Sequence, residues 1–173
     1  ESCALDHVSA TLEGELEPGE IIVLNERGIE KHPWETQTES ALCIFEYIYF
    51  ARPDSIMGDR LVYPTRQQMG AQLAREHPVD ADLVTYVPDS AMVAGNGYAL
   101  ESGIPLAETL VKNRYVGRTF IKPDQNMRDE GVRLKFNPLP EIIRGKRLIV
   151  VDDSIVRGTT NKHVVELLRA AGA

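Results

Sequence analysis

Two adjacent aspartates, Asp152 and Asp153, follow an apolar run and precede a short segment of hydroxyl residues and glycine. Where a strand ends in a short loop that opens a helix, backbone N–H groups and the positive end of the helix dipole converge on one place. That place favours a phosphate, and Gly158 lets the phosphate approach the backbone closely. Two carboxylates repel a phosphate unless they accept hydrogen bonds from sugar hydroxyls or bind a hard cation. A ribose 5-phosphate meets both demands.

This segment has a plain structural alternative, an acidic turn that leads into a capped helix. The alternative explains two aspartates alone but not the whole run VVDDSIVRGTT at residues 150–160, in which the GxxxxGK pattern of the Walker loop is absent. The run resembles the phosphoribosyl pyrophosphate signature of the type I phosphoribosyltransferases. The resemblance implies that this substrate is bound by Asp152, Asp153, Ser154, Ile155, Val156, Arg157, Gly158, Thr159 and Thr160.

Apolar runs and helical periodicities alternate along the chain and predict the elements that carry this segment. This alternation predicts an α/β fold whose mostly parallel sheet is flanked by helices and binds ligands beyond the carboxyl ends of its strands. A polar, basic stretch at residues 112–123 is typical of a long functional loop. The predicted strands cover residues 21–24, 41–50, 83–87, 106–111 and 146–151, and the predicted helices cover residues 63–76, 91–102, 127–136 and 160–171.

Three further segments narrow the resemblance to the amidophosphoribosyltransferases, which are members of that superfamily. They are CIFEYIYFARPDS at residues 43–55, VPDSA at residues 87–91 and KNRYVGRTFIKP at residues 112–123. The resemblance therefore implies the type I phosphoribosyltransferase fold for most of the chain.

The N-terminal segment has a resemblance of its own. Residues 2–19 are similar to the end of the glutaminase domain of the same family, and the chain starts at Glu1 within a polar stretch, so we expect a fragment. The resemblance implies that residues 1–38 are a short β remnant of an N-terminal-nucleophile glutaminase domain, with its linker. Residues 39–173 would be the phosphoribosyltransferase domain, truncated at its C-terminus.

The resemblance also implies roles for individual residues. Asp89 and Ser90 would lie in a loop that holds pyrophosphate, and Ser90 would join the two acids at positions 152 and 153 around Mg²⁺. The basic loop would close over the substrate and exclude water. Its catalytic residues would be Lys112, Arg114, Tyr115 and Arg118. The ammonium of the lysine and the guanidinium groups of the two arginines suit phosphate oxygens.

The implied reaction is the displacement of pyrophosphate from phosphoribosyl pyrophosphate by ammonia, which gives 5-phosphoribosylamine in purine biosynthesis. Ammonia would come from glutamine in the glutaminase domain, whose nucleophilic cysteine this chain lacks. The resemblance also implies a homo-oligomer that purine nucleotides inhibit. Two alternatives stay open: a regulatory protein that binds phosphoribosyl pyrophosphate without turnover, and a salvage phosphoribosyltransferase, which would need a base-binding segment.

The composition of the chain argues against several classes of protein. A net charge of −7 argues against a nucleic-acid surface, and no apolar run is long enough to span a bilayer. Two cysteines are too few for a disulfide framework, so we expect a cytoplasmic protein. We expect Cys3 to be a buried small hydrophobe. Cys43 has two interpretations: it packs within its predicted strand, or it is one ligand of a [4Fe-4S] cluster of the full-length protein.

Overall fold

The computed structural model describes residues 1–33, 41–115 and 135–173. Contacts divide the chain into two compact units, Glu1–Val62 and Tyr63–Ala173. The expected division at residue 38, into a glutaminase remnant and a phosphoribosyltransferase domain, stays a prediction. In the described residues, no helix has the length and apolar character needed to cross a membrane.

The first unit is built from short elements. It contains helix α1 (Cys3–His7) and two hairpins, β1 (Ile21–Asn25) with β2 (Gly28–His32) and β3 (Ile56–Met57) with β4 (Arg60–Leu61). The strand predicted at residues 21–24 is confirmed, whereas α1 was not predicted. Cys3 is buried as expected, and its sulfur accepts a hydrogen bond of 3.1 Å from the Ser55 hydroxyl.

The strand predicted for residues 41–50 is wrong, because residues Glu46–Phe50 form a π-helix. Only one of the aromatic side chains that favoured a strand is buried in this helical turn. Tyr47 is buried and its hydroxyl donates to the Met57 carbonyl, while the exposed Tyr49 and Phe50 rings pack edge to face at 5.5 Å.

The second unit has a parallel sheet at its centre. Strands β5 (Leu83–Tyr86) and β8 (Leu148–Val151) pair in parallel, and Leu106 forms a parallel bridge to Val84 on the other edge of β5. Strand β6 (Leu110–Lys112) is shorter than predicted and pairs antiparallel with β7 (Phe136–Pro138). The α/β class is therefore confirmed, with one antiparallel pair beside the parallel strands.

Helices flank these strands. They are α2 (Val62–Glu76), α3 (Met92–Ser102), α4 (Pro140–Ile143) and α5 (Thr159–Ala170). The stop of α2 before His77-Pro78 and the left-handed Gly103 that caps α3 are as predicted. Most of the helix predicted at residues 127–136 lies outside the described residues. Its last residue, Phe136, is a correction: its ring is buried in the core and its backbone pairs with β6, so it begins a strand.

Two buried clusters hold the second unit together. Helix α5 packs its apolar stripe of Val164 and Leu168 against Val87, Leu110 and Phe136. On the other side of the sheet, α2 and α3 cross so closely that Gly97 lies against the backbone of α2 and Gly70 against that of α3. A second cluster lies beneath this crossing and contains Ala74, Val84, Tyr98, Ala99 and Val151.

Candidate phosphate and sugar site

The loops that follow β5 and β8 lie side by side at the carboxyl edge of the sheet. Tyr86 is opposite Val151, and one residue later the Val87 N–H donates to the Val151 carbonyl at 2.9 Å. Since both strands run in the same direction, the segment from Pro88 and the segment from Asp152 leave the sheet together. Parallel α/β sheets bind ligands at such an edge.

The two acids form a tightly hydrogen-bonded loop at this edge. One carboxylate oxygen of Asp152 accepts the Asp153 N–H at 2.9 Å, and the other accepts the Asn161 amide at 2.8 Å. The Ser154 hydroxyl donates to Asp153 at 2.7 Å. Burial and, next, the charge of Asp153 raise the pKa of the Asp152 carboxyl. The loop therefore gathers negative charge, and a cation or a hydroxyl donor would relieve the repulsion.

The segment after the acids opens helix α5 as a phosphate cradle requires. Gly158 precedes the helix in the left-handed conformation, with φ of 70°, and has no side chain to cap the first-turn N–H groups. Ile155 and Val156 are 75% and 85% exposed, so neither packs into the core. Arg157 and Thr159 are exposed and Thr160 is half-buried around the same turn. Backbone donors and hydroxyls thus surround the start of the helix.

The loop between β5 and α3 carries the predicted pyrophosphate residues. It includes a cis peptide bond between Pro88 and Asp89, and it ends at Ala91, directly before α3. The Asp89 carboxylate is exposed and Ser90 is half-buried. Asp89 forms an ion pair of 2.6 Å with the Lys112 ammonium, which joins this loop to the end of β6.

The basic loop is described only at its start. Lys112 ends β6, while Arg114 and Tyr115 are exposed in the turn that follows, where the Tyr115 N–H donates to the Asn113 side chain. The structure thus brings Lys112 to the site and leaves Arg114 and Tyr115 in solvent. Arg118 lies outside the described residues.

Comparison with known proteins finds relatives that match the whole chain. No family model matches the chain. It is 53% identical, over all 173 residues, to the amidophosphoribosyltransferase of Synechocystis, and 50% identical to that of Archaeoglobus fulgidus. The glutamine phosphoribosylpyrophosphate amidotransferase from B. subtilis, solved in complex with ADP and GMP, superimposes on the whole chain with a TM-score of 0.90 at 48% identity. Over its whole length the chain is similar to one segment of the amidophosphoribosyltransferases.

The match covers the whole chain but only part of each relative. The chain spans 35% of the length of the Synechocystis amidophosphoribosyltransferase and 38% of the solved B. subtilis chain. The superposition confirms the expected type I phosphoribosyltransferase fold.

Two residues near this candidate site were not predicted from the sequence. Lys135 is half-buried and its carbonyl accepts the Asn113 N–H at 2.8 Å, which places Lys135 across from the start of the basic loop. Burial and then the charge of Lys112 lower the pKa of the Lys135 ammonium, while the nearby aspartates oppose this shift. Because residues 127–136 were predicted as a helix, the sequence did not indicate this pairing.

Asn161 is the second residue that sequence reasoning missed. It lies in the first turn of α5, and the signal that could have found it is its place three residues after Gly158, from where a polar side chain reaches back to the preceding loop.

Cys43 is exposed and lies outside any strand, so the prediction that it packs within a strand is wrong. In the described residues, no group of three or more His, Cys, Asp or Glu side chains has the arrangement of a metal site.

Proposed function

We propose that this chain carries the phosphoribosyl pyrophosphate site of an amidophosphoribosyltransferase. The observation that supports this most directly is the meeting of three features at one sheet edge. These are the acids at 152 and 153, the helix start at Gly158 and the ion pair between Lys112 and Asp89. The whole enzyme would form 5-phosphoribosylamine, pyrophosphate and glutamate from phosphoribosyl pyrophosphate, glutamine and water, as the first committed step of purine biosynthesis. It would be a glycosyltransferase of class EC 2.4.2.14.

Each feature suits one part of that substrate. The free N–H groups of α5 and the hydroxyls of Thr159 and Thr160 would bind the 5-phosphate. Asp152 and Asp153 would accept hydrogen bonds from the 2- and 3-hydroxyls and fix the ribose in the cradle. Lys112 would turn from Asp89 to the pyrophosphate, because a phosphate carries more charge than one carboxylate.

The reaction then needs little covalent chemistry from the protein. The ammonia lone pair forms a bond to the anomeric carbon as the bond to the pyrophosphate oxygen breaks, and a proton leaves the nitrogen. Because charge moves onto the leaving group, a cation at Lys112 stabilises the transition state more than the ground state. Arg114, Tyr115 and Arg118 would complete this clamp and exclude water when the loop closes.

The residues at the site fit Mg²⁺ bound together with substrate. Mg²⁺ prefers oxygen ligands and usually takes one or two carboxylates, several waters and phosphate oxygens, so a cage of three side chains is not needed. Asp152 and Asp153 supply the carboxylates, and Ser90 supplies a hydroxyl near the pyrophosphate loop. When bound, the metal would neutralise charge on the departing pyrophosphate.

An iron–sulfur cluster does not fit this chain alone. Its only cysteines are Cys3 and Cys43, whereas a [4Fe-4S] cluster takes four thiolates. Cys3 is buried against Ser55, so only the exposed Cys43 is a ligand candidate, together with cysteines elsewhere in a full-length protein. By analogy with the B. subtilis complex, we also propose that purine nucleotides inhibit the full-length protein, which would be a cytoplasmic homo-oligomer.

Calorimetric titration of phosphoribosyl pyrophosphate into the chain, with and without Mg²⁺, tests the proposal. We expect Mg²⁺-dependent binding that the double variant Asp152→Asn/Asp153→Asn loses. The matched control Glu13→Gln/Glu15→Gln removes two exposed charges elsewhere and should bind like the wild type. No binding by the folded wild type, or equal binding by the Asp152→Asn/Asp153→Asn variant, would contradict a substrate site in this chain. Binding without any turnover by the full-length enzyme would favour the regulatory alternative.

A further inference from the structure

The Asp152 carboxylate is held from both ends of the phosphate loop. Its Oδ1 accepts the N–H of Asp153, the next residue, and its Oδ2 accepts the side-chain amide of Asn161, nine residues later. These contacts measure 2.9 and 2.8 Å, which are ordinary lengths for hydrogen bonds to a carboxylate. The Asn161 contact therefore closes a ring that contains the whole loop at residues 153–160.

This ring couples the two halves of the site. Asn161 lies in the first turn of α5, the turn whose N–H groups point towards the phosphate cradle. Asp152 directly follows β8 and is one of the two acids that would bind the sugar hydroxyls. The side chain of Asn161 therefore joins the part that would bind phosphate to the part that would bind ribose.

We propose that Asn161 is a positioning residue that holds Asp152 in the orientation required by the sugar hydroxyls and ties it to the phosphate loop. This inference rests on the proposed phosphoribosyl pyrophosphate function. An amide suits the task because its N–H₂ group donates to Asp152 without adding a charge. A carboxylate at position 161 would be the same size but would repel Asp152.

A purely structural role for Asn161 predicts the opposite result. An acidic residue in the first turn of a helix stabilises the helix through the dipole, so Asn161→Asp would be neutral or stabilising if the residue only supported α5. If Asn161 acts through Asp152, the same substitution places two carboxylates together and releases the loop. For Asn161→Asp, a purely structural role therefore predicts unchanged or higher thermal stability and unchanged ligand affinity. A role through Asp152 predicts lower ligand affinity.

The test compares Asn161→Asp and Asn161→Ala with the wild-type chain. We expect the Kd for phosphoribosyl pyrophosphate with Mg²⁺ to rise about tenfold for alanine, the loss expected for one hydrogen bond to a charged group, and more for aspartate. Amide exchange at Asp153 should become faster in both variants. The matched control Glu166→Gln changes an exposed residue of the same helix and should leave both readouts unchanged.

A swap variant separates loop geometry from charge. In Asp152→Asn/Asn161→Asp the amide and the carboxylate exchange places, so the hydrogen bond can form again. We expect slow exchange at Asp153 to return while the affinity stays low, because the acid is missing at position 152. If the wild type binds and Asn161→Asp binds equally well, this inference fails while the proposed function stands. If the folded wild type does not bind, the proposed function fails, and the inference fails with it.

Discussion

The crossing of α2 and α3 gives a sharp prediction for the substitution Gly97→Ala. An ideal Cβ at Gly97 would lie 1.9 Å from the Gln67 carbonyl oxygen, whereas ordinary contacts begin near 3.4 Å. The obstacle is backbone, so the helices must separate by about 1.5 Å rather than adjust one side chain. Because backbone must move, such overpacking should cost about 2–3 kcal/mol, the upper part of the usual range, and alanine recovers about 1 kcal/mol of helix propensity. We expect a net loss of about 1–2 kcal/mol.

Thermal unfolding and substrate titration together check this prediction. The loss corresponds to a fall in Tm of roughly 2–8 °C. Because α3 begins directly after the loop that carries Asp89 and Ser90, we also expect weaker binding of phosphoribosyl pyrophosphate. The control Gly95→Ala meets only the Tyr86 side chain, at 3.0 Å, and should lose less stability. A Gly97→Ala chain as stable as the wild type would refute the packing argument.

Three further predictions concern charged residues. Lys112→Met should weaken binding of phosphoribosyl pyrophosphate at least about tenfold in calorimetry, because a charge-assisted contact is lost. The control Lys146→Met changes a lysine that precedes β8, away from the carboxyl edge of the sheet, and should not weaken binding. Lys135→Met should also weaken binding, and unchanged affinity would remove Lys135 from the site. The Arg147 side chain lowers the pKa of Asp82 from 3.8 to about 2. The stabilisation that the ion pair between them contributes is therefore present above pH 4 and is lost as pH falls towards 2. Asp82→Asn should therefore flatten the fall in Tm with pH over that range.

Local signals in the sequence were sufficient to predict the elements that carry the site. The sequence predicted that Gly103 caps α3 and that α2 ends before His77-Pro78. Both predictions rest on backbone constraints of glycine and proline, which packing does not override. Alternation of apolar strands and helices gave the parallel order of β5 and β8. By contrast, composition misled at residues 41–50, because a short apolar and aromatic run does not by itself distinguish a strand from a helical turn.

The site was predicted as separate sequence segments, at residues 89–90, 112–118 and 152–160, and not as the contacts that join them. Asp152 through Thr160 form one continuous segment, so the amino-acid sequence alone was enough to predict a shared role for them. Lys135 contacts Asn113 across the start of the β6–β7 pair, which no local pattern encodes, whereas Asn161 had a local signal in its place three residues after Gly158. The contact between Lys112 and Asp89 likewise depends on β6 ending beside the loop that follows β5.

The electrostatics of the free chain indicate what kind of ligand the site is built for. Burial and the neighbouring Asp153 raise the pKa of Asp152, and burial and the neighbouring Lys112 lower the pKa of Lys135. Both shifts come first from burial and then from a like charge, so the charged forms of both groups are disfavoured in the free chain, although Lys135 and Asp152 partly offset each other. A metal cation alone would relieve the acids, and a phosphate alone would relieve the lysines. A ligand that carries a divalent cation and a pyrophosphate together relieves both, which is why we expect magnesium and substrate to bind with positive cooperativity.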